Sequence, residues 1–344
     1  MTQQRVLVTG GTGFIAGHCI LQLLEQGYLV RTTVRSLARE SEVRATLTDA
    51  GMVNDGALSF VAADLTDDAG WSDAVGDCAF VLHVASPVHI GKVKNPDDVI
   101  APARDGALRV LRAARDAGVQ RVVLTSAFHA VGFGHPRAKQ SFTEDDWSVL
   151  DGPGVDAYGR SKILAERAAW AFAADEGGAL ELTTILPVAV MGPVMGREIS
   201  GANHIVQRML DGEMPGYPRL WIPIVDVRDV AHAHVLAMTA SGAAGERILI
   251  SSGPAIAMEQ IGAILKTHFG AAARRVPTRF IPNLVLRAAA VFSPDLRSVA
   301  ADLDRVKTVP NEKAQRVLGW EPRPSEDAVV AAAESMIAKS VVKH

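Results

Sequence analysis

A chain of 344 residues is too long for one small module and fits a single large α/β domain, or a main domain with a smaller lobe. Its 48% hydrophobic content excludes wholesale disorder, and a formal net charge of -3 gives no general electrostatic pull toward nucleic acid or an anionic membrane. Two cysteines, Cys19 and Cys78, make no disulfide scaffold, and the absence of a CxxC pair excludes a metal ribbon.

The first residues run straight into Val6-Leu7-Val8-Thr9 without a basic segment and apolar signal core, so export is not expected. The longest mainly apolar stretch, Ile185 to Gly196, is broken by Pro187, Gly192 and Pro193 and is unfit to cross a bilayer as a helix. The expected setting is cytoplasmic. In chain order, apolar β-branched runs predict strands at Arg5 to Thr9, Tyr28 to Val34, Leu58 to Ala62, Ala79 to Val84, Arg121 to Thr125, Leu180 to Leu186 and Arg247 to Ile250. Helical spacing predicts helices over Gly13 to Gln26, Leu37 to Ala50, Asp97 to Ala117 and Asp156 to Ala174, the last with its Arg, Lys and Glu residues outside. This alternation predicts an α/β fold with a doubly wound parallel sheet. After about residue 190 glycine and proline become frequent. The expected division is a dinucleotide-binding Rossmann domain over 1–190 and a smaller, mainly helical substrate lobe over 191–344, interleaved with late sheet elements at about 225–255.

The segment Thr9-Gly10-Gly11-Thr12-Gly13-Phe14-Ile15-Ala16 joins the first strand to the first helix, in the pattern of a dinucleotide-binding turn. Small residues let a pyrophosphate approach backbone amides, and the helix aims unpaired N–H groups at its charge. Gly10, Gly13, Phe14 and Ile15 are the expected contacts. The second strand ends Arg31-Thr32-Thr33-Val34-Arg35-Ser36, with no acid to hold ribose hydroxyls. Arg35, with Ser36 as a hydroxyl donor, predicts a 2′-phosphate and hence NADP(H); Arg31 and Arg39 are weaker candidates. Asp64 and Leu65 after the third strand, and Val84, Ala85 and Ser86 after the fourth, lie where strand ends meet the cofactor crevice. Asp64 is equally readable as a partner of the adenine amine and as a helix cap.

Tyr158-Gly159-Arg160-Ser161-Lys162 places a phenol and an ammonium on one helix face. A nearby cation lowers a phenol's pKa, which suits Tyr158 to proton exchange and Lys162 to tuning it while bonding the nicotinamide ribose. Upstream, Ser126 at the end of the fifth strand is the expected hydroxyl for a substrate carbonyl, with Thr125 in reserve and lining the cofactor site. His232-x-His234 is not a metal pair, because helix neighbours two apart point to different faces.

With these residues in hand, the chain resembles the extended short-chain dehydrogenases/reductases, in the branch of dihydroflavonol 4-reductase, cinnamoyl-CoA reductase and NADPH-dependent aldehyde or ketone reductases. Ile185 to Pro193 resembles the segment that runs beside the nicotinamide in that family, which brings Pro187 and Val190 into the cofactor set. Val225 to Ala231 and Leu318-Gly319-Trp320 resemble its later signatures. The resemblance implies Tyr158 as acid/base, Lys162 on the ribose and a serine on the carbonyl. Two departures stand out. The plant reductases carry two serines where this chain has Ser126-Ala127, which leaves His129 as a substitute donor; Gly132 stands where flavonoid reductases have a substrate-binding asparagine.

The expected reaction is hydride transfer between NADPH and a hydrophobic aldehyde or ketone, by a monomer or homodimer that binds neither nucleic acid nor membrane. Its pocket is expected from Val88 to Val93, Phe128 to Phe133 and Met191 to Ile224, including Phe128, Phe133, Met191, Met195, Tyr217 and Trp221. Two rivals are an NAD-dependent nucleotide-sugar epimerase or dehydratase, which Arg35 disfavours, and a non-catalytic dinucleotide sensor, which the retained Tyr158/Lys162 pair disfavours.

Overall fold

The central aliphatic strands are buried on both faces, as a parallel sheet covered by helices requires. The computed structural model describes residues 3–87 and 95–343. Among these, β1 (Arg5–Val8), β2 (Leu29–Val34), β3 (Leu58–Ala62), β4 (Cys78–His83), β5 (Arg121–Thr125) and β6 (Glu181–Pro187) form a sheet completed much later by β10 (Arg247–Ile250). The strand order is β10-β6-β5-β4-β1-β2-β3, and every pairing is parallel. The chain therefore winds outward in both directions from β1 and β4. The crevice between their carboxyl ends is the switch point at which such sheets bind ligands.

Helices α1 (Phe14–Glu25), α2 (Glu40–Asp49), α7 (Val227–Thr239) and α11 (Glu312–Leu318) cover one face, where Ile20, Leu23, Leu47, Val230 and Trp320 share a core with Val6, Val8 and Leu82. Helices α3 (Trp71–Val75), α4 (Asp97–Asp116) and α5 (Ala157–Asp175) cover the other, where Trp71, Leu111 and Phe172 meet Leu7, Val81 and Val122. A third apolar cluster joins α6 (Asn203–Leu210), α8 (Met258–Phe269) and α12 (Ser325–Ala338) through Met209, Leu265 and Met336. Two short pairs tie this cluster to the sheet: β7 (Ala189–Met191) runs parallel to β9 (Ile224–Asp226), and β8 (Trp221–Ile222) antiparallel to β11 (Ile256–Ala257). Helices α9 (Asn283–Phe292) and α10 (Pro294–Asp302) pack on each other.

Two local expectations change. The helix expected over Leu37 to Ala50 is split: Ser36 accepts a hydrogen bond from the Ala38 amide and starts a 3-10 turn at Leu37–Arg39, and α2 follows. In α5, Lys162 and Glu166 are buried rather than outside, because each has polar partners within the fold.

Candidate active site

Gly10 sits at φ +74°, a region costly for side-chain-bearing residues, and a Cβ there would stand 3.0 Å from that of Ala85. Its amide donates to Thr33 Oγ1 at 2.9 Å. Gly13 is extended at the N-cap of α1, and its amide donates back to Gly10 O at 2.8 Å. Helix α1 then opens with Phe14 and Ile15, and its first turn holds no acidic side chain to answer the unpaired amides. Thr9 Oγ1 meets His83 Nδ1 at 2.9 Å and accepts from the Ala85 amide at 3.0 Å, which pins Val84, Ala85 and Ser86 beside the turn. A cradle closed to a Cβ and facing a helix N-terminus fits a dinucleotide pyrophosphate.

The arginines at the end of β2 separate clearly. Arg31 caps α3, donating to the carbonyls of Asp73, Ala74 and Gly76, and is withdrawn as a phosphate ligand. Arg39 is paired with Glu42. Arg35 is exposed and makes no hydrogen bond to any described residue, and the adjacent Ser36 keeps its hydroxyl proton free to donate. Asp64 closes a turn and caps no helix, α3 starting only at Trp71: one oxygen accepts from both the amide and the hydroxyl of Thr66 at 2.8 Å, and those bonds, first of all, hold its pKa below the usual carboxylate range. Leu65 packs against Gly106 of α4. Pro187 ends β6 opposite Ile250, and Val190 pairs with Val225 just beyond it.

Helix α5 is capped by Asp156, whose carboxylate accepts from the Gly159 amide at 2.7 Å. One turn in, Lys162 Nζ donates to Thr125 O at 3.3 Å, which fastens the ammonium to the end of β5. Burial pushes Lys162 down to about 8, opposed by the charge of Glu166. Tyr158 is 43% exposed. Desolvation by the neighbouring protein, aided by Asp156, pushes the phenol up to about 12. This corrects the expected direction: the resting phenol is held protonated rather than acidified by Lys162.

Ser126 also differs from expectation. Its hydroxyl donates to Glu166 Oε2 at 2.7 Å, inside a buried cluster in which Thr184, Trp170 and Arg247 hold the same carboxylate. Thr125 Oγ1 lies 2.7 Å from His234 Nε2, and His234 Nδ1 meets Val230 O. Both strand-end hydroxyls are therefore engaged inward. Glu166 went unnoticed in the sequence, although its position four residues after Lys162 places it on the same helix face. A small open cleft is lined by His83, Ala85, Ser86, Ser126, Lys162 and Glu166 among others.

The expected apolar pocket is only partly assembled. Phe128, Met191 and Tyr217 belong to the cores, the Tyr217 hydroxyl donating to Pro277 O at 2.6 Å. Met195 packs on Gly17 of α1, the cofactor-side helix. Phe133 and Trp221 remain half-buried. Val88 to Val93 lie outside the described residues.

His18, His83 and His234 are buried, and desolvation holds them at about 4, 3 and 4. The unfolded chain takes up these protons below the ordinary value of 6.5, while the folded chain does not. Stability should therefore be full above pH 6.5 and fall as pH drops toward 4, by several kcal/mol in sum, on the order of 1.4 kcal/mol per pH unit for each imidazole. Thermal melts across this range check it; a constant Tm would contradict it.

A doubly wound sheet with a glycine cradle at its switch point and a Tyr/Lys pair on the neighbouring helix defines a dinucleotide-dependent enzyme class. The model of the NAD dependent epimerase/dehydratase family matches residues 6–251, and the chain belongs to this family. It is similar to cinnamoyl-CoA reductase 1 of Arabidopsis thaliana, 36% identical over 72% of this chain and 70% of the relative. It is also similar to ketoreductase azaE of Aspergillus niger, 32% identical over 97% of this chain and 98% of the relative. Among solved structures, Gre2 of Candida albicans in complex with NADPH superposes with a TM-score of 0.80 at 27% identity, covering 98% of this chain and 99% of that one. No helix among the described residues is long and apolar enough to cross a membrane.

Proposed function

We propose that this protein is an NADPH-dependent carbonyl reductase acting on a hydrophobic aldehyde or ketone, with Tyr158 as the proton donor. The observation that carries the reading is an exposed Tyr158 one turn before a buried Lys162, which is held on the end of β5 and lines a cleft with His83, Ala85 and Ser86. Support for the class comes from the reductases and ketoreductase it resembles and from the NADPH-bound Gre2 structures, one of them the yeast methylglyoxal/isovaleraldehyde reductase.

When bound, NADPH supplies the hydride for the carbonyl carbon. The chain's own residues do the rest. The amides at the start of α1 and the Gly10–Gly13 turn receive the pyrophosphate, and Arg35 with Ser36 receives the 2′-phosphate. Tyr158, protonated at rest, gives its O–H proton to the carbonyl oxygen, so that a hydride and a proton together yield the alcohol. The ammonium of Lys162, on the same helix face, stabilises the phenolate left behind. Solvent at the cleft mouth returns the proton.

The test is turnover: purified protein with NADPH and a panel including benzaldehyde and isovaleraldehyde should consume NADPH and form the alcohols. No consumption above background across the panel would overturn the reading. Arg35→Ala should raise KM for NADPH by about 10- to 100-fold, the worth of one hydrogen-bonded charge, and leave KM for NADH nearly unchanged. Steady-state kinetics with both cofactors measure this, and equal effects on the two would remove Arg35 from the phosphate site.

A further inference from the structure

A carbonyl oxygen that gains negative charge during reduction is best held by a second hydrogen-bond donor besides the proton donor. The end of β5 offers three side chains for that role, and none is available. The Ser126 hydroxyl donates at 2.7 Å to Glu166, a fully buried carboxylate, and turning it outward would take a hydrogen bond from a buried charge. The Thr125 hydroxyl is engaged by His234 at 2.7 Å. Ala127 ends in a methyl group.

Two residues further on, in the 3-10 turn Phe128–Ala130, stands His129. Its ring meets that of Tyr158 edge-on, with centroids 5.0 Å apart and planes at 80°. On its flat side it stacks on Phe133 at 4.3 Å and 7°. Phe133 is in turn covered by the Lys307 ammonium, 3.8 Å from its centroid and bonded to Asp302. These contacts set the plane of the imidazole at the tyrosine. The ring is half-buried, and neither nitrogen has a hydrogen-bond partner among the described residues.

We propose that the His129 imidazole, rather than a strand-end hydroxyl, donates the second hydrogen bond to the substrate carbonyl beside Tyr158. This rests on the reductase reading above. Desolvation holds the ring at about 4, with Lys307 and Lys162 assisting and Asp156 opposing. At neutral pH it is therefore uncharged and carries one N–H. Such a group donates a hydrogen bond without competing with Tyr158 to release a proton.

The experiment compares the wild type, Tyr158→Phe, His129→Ala, His129→Asn and the double variant His129→Ala/Ala127→Ser, with benzaldehyde and isovaleraldehyde as substrates. For each, kcat, KM, the dissociation constant of NADPH and Tm are measured. His129→Ala should lower kcat by about 10²-fold, as loss of one oxyanion donor does, with NADPH affinity and Tm close to wild type. His129→Asn, which keeps an N–H, and the double variant, which puts a hydroxyl at the strand end, should each recover about tenfold or more of that loss. Turnover within about threefold of wild type in His129→Ala would overturn the proposal. So would a loss that follows NADPH affinity or Tm and that neither other variant restores. If wild type turns over, Tyr158→Phe does not, and His129→Ala does, only the role of His129 falls. If wild type reduces nothing, the reductase reading falls with it.

Discussion

Tyr158→Phe is expected to lower kcat for carbonyl reduction by roughly 10²- to 10⁴-fold while changing the dissociation constant of NADPH by less than about twofold, because a general acid acts in the transition state. The substitution removes one oxygen atom from a side chain that is 43% exposed, so packing and stability should barely change. The phenol's pKa, raised to about 12 by desolvation and Asp156, means that the donor stays protonated through the ordinary pH range. Loss of activity with rising alkalinity should therefore not follow ionisation of a resting phenol near neutrality. A stopped-flow single-turnover measurement of the variant separates the chemical step from cofactor release. Near-normal turnover would remove Tyr158 from the mechanism.

The second large effect concerns stability. Arg247→Met should destabilise the fold by about 3–5 kcal/mol, since it leaves a fully buried carboxylate without its counter-ion. Arg247 Nε meets Glu166 Oε1 at 2.8 Å, its guanidinium lies 3.7 Å from the centre of the Trp147 ring, and Nη1 also bonds the carbonyl of Asp146. One side chain from the last sheet strand thus joins α5, the strand-end serine and the loop before α5. Denaturant unfolding of the variant measures the loss. Adding Glu166→Gln to Arg247→Met should recover part of it, because the stranded charge is then gone. A change below about 0.5 kcal/mol in Arg247→Met would show that the buried pair contributes little.

The fold was largely legible in the chain. The strand Arg121–Thr125 stands as expected, because a strand buried on both faces is written as an uninterrupted aliphatic run, and the edge strand Leu58–Ala62, only partly buried, stands where its alternation with turn residues put it. The helix from Asp97 was equally clear from its apolar spacing. What failed had a common cause. Arg31 and Arg35 look alike in sequence, yet only the former reaches the carbonyls at the end of α3, a contact made across 42 to 45 positions. Ser126 and Ala127 differ by one atom in a strand-end run, and the strand's direction into α5 decides which way the hydroxyl points. Glu166 read as one of the outward charges of its helix, because spacing alone does not reveal that Ser126, Thr184 and Arg247 wait inside the fold to receive it.

Local chemistry in the chain thus determined the parallel sheet, the glycine turn between β1 and α1 and the spacing of the Tyr158/Lys162 pair, since each depends on residues within a single turn or strand and on backbone rules that act at short range. The tertiary structure alone decided which hydroxyls are spent on buried partners, which arginine stays open to an anion and which ring lies against Tyr158. Those outcomes depend on desolvation and on contacts between segments tens of residues apart, and neither is encoded in the neighbours of a residue along the chain.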